Sequence, residues 1–222
     1  MNNPTNAQIS QYVSPRHPPI LTHTLPFAVF ALFTYLPLSQ GWSYPLKTVV
    51  VGLMLMYFWP SIRHEIRWTW DWPAVVVGVA VFLIWIGLEG HTPKLGGEKA
   101  LSPWSLDGPI SPQIFIGFRL IGACLVVPIM EELFWRSFAL RFLITSKIHS
   151  VPVGTFTWFS FVVVSLAFGL EHNRWIPGIL AGMAFAGLLY RTHNLFSPIL
   201  AHAITNALLG IYVLSNSHWH FW

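Results

Sequence analysis

The chain alternates long apolar runs with short polar turns. Residues 22–39 form the first run, with Pro26 and Pro37 near its ends. Residues 45–60 form a second, short run, closed by Pro60 and a charged turn of Arg63, His64, Glu65 and Arg67. Asp71 and Pro73 open a third, which reaches residue 89, and Asp71 is placed to cap that helix. A polar segment follows over 90–111, rich in Gly, Pro, Ser and Lys, with Gly96 and Gly97 at its tip. Three further runs cover 154–171, 174–191 and 194–215. A bilayer crossing needs ~20 mostly apolar residues, with ~17 as the lower end, so the pattern predicts an all-α, polytopic transmembrane bundle.

Residues 112–146 are apolar with charges inserted. As one helix they would be roughly 52 Å long, against a hydrocarbon core of ~30 Å. The expectation is a break near Pro128 into two pieces, or a second half that leaves the membrane. The total is then seven or eight helices. Four parts result: a polar tail over 1–21, apolar helices and the long loop over 22–111, a helical core over 112–215, and a short aromatic tail over 216–222.

Composition supports lipid as the main solvent. Charged residues make up 9% of the 222, against about 25% in soluble domains. Such a chain cannot cover a water-facing surface. Twelve Trp suit the aromatic belts at bilayer interfaces, and Trp68, Trp70 and Trp72 cluster between two spans. The net charge of +4 comes from scattered Lys and Arg. With no basic stripe interleaved with aromatics, nucleic acid is not an expected partner. Arg16 and His17 precede the first apolar run as in a signal peptide, but the run outlasts a signal core and no small-x-small site follows. It is expected to stay as an uncleaved span. Arg16, Arg63 and Arg67 favour a cytoplasmic N-terminus. The lone Cys124 has no partner for an internal disulfide and reads as packing.

Ionisable residues inside spans are costly and tend to be functional. Lys47 lies near a span end, from which it can snorkel. Arg141 is expected at the headgroups. Arg119 is expected to snorkel or to pair with a buried carboxylate. The remaining polar residues fall into three patterns.

The first pattern is Pro128-Ile-Met-Glu131-Glu132-Leu-Phe-Trp-Arg136. Glu132 and Arg136 are four apart, share a helix face and are expected to pair. Glu131 points about 100° away and is left to face a cavity, where a desolvated carboxylate suits a general base. The second is Phe168-Gly-Leu-Glu171-His172, at a helix end. The third is His202-Ala-Ile-Thr-Asn206, which places two side-chain N–H groups on one helix face, as an oxyanion site requires. Each pattern alone has a structural explanation: an inter-helix ion pair, an interfacial His, or a hydrogen bond between helices. Together they supply a base, two imidazoles and an amide, the inventory for hydrolysing an amide bond.

E-E-x-x-x-R, F-x-x-x-H and H-x-x-x-N, in that order in apolar helices, resemble the CPBP (CAAX protease and bacteriocin-processing) family of intramembrane proteases, which includes the Rce1-like CAAX prenyl endopeptidases. Pro128-Ile before the Glu pair and Ser197-Pro-Ile-Leu before His202 add to the likeness, which covers roughly 112–212. The resemblance implies about eight helices around a water-filled polar cavity. It implies that Glu131 and His172 activate water without a metal or other cofactor. His202 and Asn206 would form the oxyanion hole, with Glu132, Arg136 and Phe168 in support. Many relatives carry Phe-Arg-Gly after the Glu pair; here Phe134-Trp135-Arg136-Ser137 keeps the Arg and loses the Gly. The implied partners are membrane lipid and a peptide or protein substrate, lipid-modified or not. The implied location is a multi-pass position in the membrane, the plasma membrane in a bacterium.

Other chemistries fit less well. His64-Glu65-Ile-Arg-Trp68 begins a zincin motif but lacks its second His. The two Asp, Asp71 and Asp107, lie in loops or at a span edge, and no G-x-S-G occurs. A non-proteolytic immunity or scaffold member of the family stands as an alternative. So does a metal-dependent membrane protease with Glu131, His172 and His202 as ligands. A small transporter would explain buried charges but not the His-x-x-x-Asn pair.

Overall fold

The structure, a computed structural model, describes residues 17–36, 38–97, 100–106 and 110–222. Arg16, Pro37 and Asp107 lie outside them. Among the described residues there are seven helices and no strand: α1 Pro19–Tyr35, α2 Gln40–Ile62, α3 Trp72–Gly87, α4 Pro112–Phe142, α5 Trp158–Leu170, α6 Trp175–Thr192 and α7 Phe196–Asn216. By length and composition, α2, α4 and α7 are long and apolar enough to cross a membrane; α1, α3 and α5 are shorter apolar helices.

The count is seven because α4 does not break at Pro128. A proline inside a helix loses one N–H bond and clashes with the carbonyl four residues back. Here a π-helical turn, Gly122–Val126, directly precedes the segment Val127–Glu132, and Pro128 sits in that segment's first turn, where a missing N–H costs little. A second π-helical stretch covers Leu133–Ala139. The unbroken helix still lets Glu131 and His172 line one cavity. Glu131 lies about 17 Å from the end of α4, and His172 lies about 21 Å along the returning path from the start of α5. A long helix with its Glu near the middle and a return helix of 13 residues bring both to a similar depth.

Small residues let the helices approach closely, as lipid-embedded packing requires. A Cβ on Gly78 of α3 would stand 2.6 Å from the Ala201 carbonyl of α7. That contact is fastened by Thr205, whose hydroxyl donates to the Gly78 carbonyl at 2.9 Å. Gly169 and Gly178 do the same for α5 against α6: a Cβ on Gly178 would meet the Gly169 Cα at 3.0 Å. Two apolar clusters result. One joins Leu55, Met130, Leu133 and Leu189; the other joins Val81, Phe168, Phe185 and Ala201, and Trp135 packs against both. Outward, Met56, Tyr57, Val76, Phe159 and Ile211 are exposed, with Trp68, Trp70 and Trp72 at one end. This apolar exterior suits lipid.

Three polar residues depart from expectation. Arg141 is buried, not at the headgroups: it donates to Glu65 Oε1 at 2.8 Å. Glu65 also accepts from Ser137 and lies 3.4 Å from His23 Nε2. Of the charged turn after α2 only Glu65 is turned inward, from a 3₁₀ turn over Arg63–Glu65, while Arg63, His64 and Arg67 stay exposed. Lys47 is also buried. It donates to Thr34 Oγ1 at 3.1 Å and lies over the Phe30 ring, rather than reaching out of the bundle. Asp71 occupies the N-cap position of α3, but its side chain accepts from Arg191 instead of capping. A cationic partner at contact distance outcompetes a neutral N–H.

Candidate active site

The segment Val127–Glu132 sets two adjacent carboxylates on diverging faces of α4. Glu132 faces inward, with an oxygen 3.0 Å from Arg136 Nε, and both side chains are fully buried. Arg136 is held from its other sides as well. Its guanidinium carbon lies 4.0 Å above the Phe168 ring of α5, and Nη2 donates to the Gly182 carbonyl of α6 at 3.5 Å. The Glu132–Arg136 pair therefore ties three helices together, and Phe168 is one of its walls.

His202 of α7 stacks on Phe185, with ring centroids 5.1 Å apart. Its Nδ1 lies 2.9 Å from the second Glu132 oxygen, and its Nε2 lies 4.0 Å from Glu131 Oε2. Glu132 thus orients both Arg136 and His202, a wider task than the i,i+4 spacing suggested. Glu131 Oε2 is buried and has no hydrogen-bond partner within the described residues.

His172 lies in the turn after α5. Its Nδ1 meets the Phe168 carbonyl at 2.8 Å. A carbonyl only accepts, so Nδ1 carries the proton and Nε2 is left with a bare lone pair. Trp85 lies edge-on to the ring at 5.5 Å. Asn206, one turn beyond His202, donates one Nδ2 hydrogen to the Ala123 carbonyl at 2.7 Å; Ala123 belongs to the first π-helical turn of α4. The second amide hydrogen has no partner among the described residues.

Glu131, His172, His202 and Asn206 line one cavity of about 430 Å³. Phe168 and Phe185 form part of its wall. Glu132 and Arg136 stand behind it, paired. Glu171, beside His172, turns instead to Trp135, accepting from Nε1 at 3.0 Å. Among the described residues, no three His, Cys, Asp or Glu side chains are grouped as a metal ion would require.

The first hundred residues and the aromatic tail contribute more than the motifs indicated. Tyr44, Val81, Trp85, Gly97, Phe221 and Trp222 also line the cavity. None lies in a recognisable pattern. Arg119 lines it too, lying 4.2 Å over the Tyr44 ring rather than beside a carboxylate.

The turn bearing His172 is clamped from outside the membrane-spanning helices. Leu95 N donates to the Asn173 carbonyl at 2.8 Å, and the Asn173 amide donates back to the Leu95 carbonyl. Arg174 Nη2 donates to Glu89 at 3.0 Å and Nη1 to the His220 carbonyl at 3.3 Å. Lys94 also pairs with Glu89. The Arg174 hydrogen bond, helped by Lys94, holds the Glu89 carboxyl down at about 2.

Residues 112–208 match the family model described as type II CAAX prenyl endopeptidase Rce1-like. No curated protein and no solved structure matches the chain. The matched stretch runs from the start of α4 into α7 and contains all three polar patterns. This core, residues 112–208, is therefore similar to the Rce1-like type II CAAX prenyl endopeptidases, and the match supports the resemblance read from the three polar patterns.

Proposed function

We propose that the chain is a multi-pass intramembrane endopeptidase that hydrolyses a peptide bond with water activated by Glu131 and His172, without a metal. The observation that carries this reading is the convergence of Glu131, His172, His202 and Asn206, from α4, α7 and the turn after α5, on one cavity. The family match over the same stretch supports it.

In this reading the substrate carbonyl lies between Glu131 and the Asn206 amide. A water accepted by the bare Nε2 of His172 gives its proton to Glu131 as its oxygen bonds to the carbonyl carbon. The carbonyl becomes an oxyanion, held by the free Asn206 N–H and by His202 Nε2–H. Because His202 Nδ1 already faces Glu132, donation from Nε2 requires the doubly protonated ring, whose charge the Glu132 carboxylate offsets. Collapse breaks the C–N bond, and the leaving amine takes the proton from Glu131. Arg136 and Phe168 keep Glu132 in place and touch no reacting atom.

The substrate class implied by the family is a peptide bearing a prenylated cysteine near its C-terminus. The test is incubation of the purified protein with an S-farnesylated CAAX peptide, read by mass spectrometry, with Glu131→Gln as control and metal analysis of the same preparation. Cleavage by the unsubstituted protein alone, with no stoichiometric metal, is the expected result. Cleavage that tracks a bound metal and stops with a chelator would replace this mechanism with a metal-dependent one. Absence of cleavage would favour the non-proteolytic alternative.

A further inference from the structure

The geometry points to Arg119 as the anchor for the C-terminal carboxylate of the peptide in the cavity. This inference rests on the peptidase reading and adds a residue that sets where along a substrate the enzyme cuts.

The buried arginines of the described residues each have a carboxylate, and Arg119, which is half-buried, does not. Arg136 has Glu132, Arg141 has Glu65, and Arg174 has Glu89. Arg119 has ring faces instead: its guanidinium carbon lies 4.2 Å over Tyr44 and 5.6 Å from Trp222. No carboxylate of the described residues pairs with it. Stacking holds the flat face of a guanidinium and leaves its in-plane N–H donors open, in the fork geometry that fits a carboxylate. Arg119 lines the same cavity as Glu131, so the open fork and the candidate base share one space. A half-buried cation that lines a cavity without a counter-ion offers an anionic ligand a charge-assisted contact there.

Spacing indicates which anion. Arg119 and Glu131 are on one helix, separated by about 18 Å of rise. An extended peptide covers that distance in about five residues. Arg119 lies toward Trp222 and nearer the start of α4, whereas Glu131 lies further along the same helix. An anion that stands at a fixed, short distance from the scissile bond in every substrate, whatever its side chains, is the α-carboxylate. The enzyme would then release a C-terminal fragment of no more than about five residues.

The test uses one fluorophore-labelled, S-farnesylated peptide ending in cysteine-valine-isoleucine-serine, made as the free acid and as the C-terminal amide. Binding is measured to the Glu131→Gln protein, so that turnover does not intrude. The acid is expected to bind at least ~10-fold tighter than the amide, as a charge-assisted bidentate contact provides. Adding Arg119→Gln should bring the acid-to-amide ratio to about one, whereas Arg119→Lys, which keeps the charge, should retain part of it. The comparison without any change at Arg119 stands even if its variants fold poorly. Equal binding of acid and amide, no binding of either, or a preference that survives Arg119→Gln would each overturn the inference. A binding preference without cleavage by the unsubstituted protein would leave the anchor standing and sink the peptidase reading.

Discussion

His202 Nδ1 lies 2.9 Å from Glu132 Oε1, while the other oxygen of the same carboxylate lies 3.0 Å from Arg136 Nε. One buried carboxylate therefore serves two cationic or cation-capable groups. That sharing separates the roles of two glutamates adjacent in sequence: Glu132 organises, and Glu131 is left open to the cavity.

Glu132→Gln should therefore damage both stability and turnover. It leaves Arg136 buried and unpaired, which costs on the order of 3–5 kcal/mol. It also removes the carboxylate oxygen that faces His202 Nδ1 at 2.9 Å. The double change Glu132→Gln with Arg136→Gln should recover much of the melting temperature in detergent, because no lone cation remains, yet should stay inactive. Recovery of activity together with stability would show that Glu132 serves Arg136 alone.

A second buried network should behave in a similar way without touching the cavity. Glu65 is held by Arg141, Ser137 and His23. Arg141→Ala leaves that carboxylate without its cation and should lower stability by roughly 3–5 kcal/mol. Ser137→Gly removes only one hydroxyl and places a glycine inside the helix, and should cost about 1–2 kcal/mol. Thermal melts of both variants check the order; a larger loss from Ser137→Gly would contradict it.

Glu89 gives a pH dependence with a definite sign. Its carboxyl is held down at about 2 by Arg174 and Lys94, with His220 Nε2 3.7 Å away. A depressed carboxylate contributes stability that is fully present above its unfolded pKa of ~4.3. That contribution fades as pH falls from there through about 2. Protection from hydrogen exchange in residues 88–97 and 171–174, taken relative to the intrinsic amide rate at each pH, should fall over that window. Glu89→Gln should show low protection already at pH 7 and no further change over the window. Protection that is unchanged by acid in the unsubstituted protein would contradict the clamp.

Cys124 lies half-buried in the first π-helical turn of α4. Cys124→Ala should keep both fold and turnover, since a free Cys in such a place fills space. Loss of turnover in a folded Cys124→Ala protein would point to a thiol nucleophile.

Much of the bundle was legible because lipid imposes long apolar runs, and α2, α6 and α7 lie close to the runs at 45–60, 174–191 and 194–215. The polar positions in the core were legible for the same reason: Glu131, His172, His202 and Asn206 stand out against apolar neighbours, and all four reach one cavity. The continuity of α4 was not legible. A π-helical turn has no periodic signature, so Pro128 read as a break. Arg141 and Lys47 were misplaced because a cation near a span end looks the same whether it reaches out to water or in to Glu65 or Thr34. That choice depends on the partner's position in three dimensions. Tyr44, Trp85 and Trp222 carried no signal, since an aromatic facing a cavity and one facing lipid are alike in a hydrophobic run.

The most direct measurement is the turnover of Glu131→Gln, purified in detergent beside the unsubstituted protein and assayed on the same farnesylated peptide. Gln keeps the shape and removes the base. Turnover should fall by at least ~10²-fold while the melting temperature stays where it was, because Glu131 Oε2 bonds to nothing within the described residues. Wild-type turnover in Glu131→Gln, or a low-melting Glu131→Gln beside a stable and inactive Glu132→Gln, would contradict the assignment of the base.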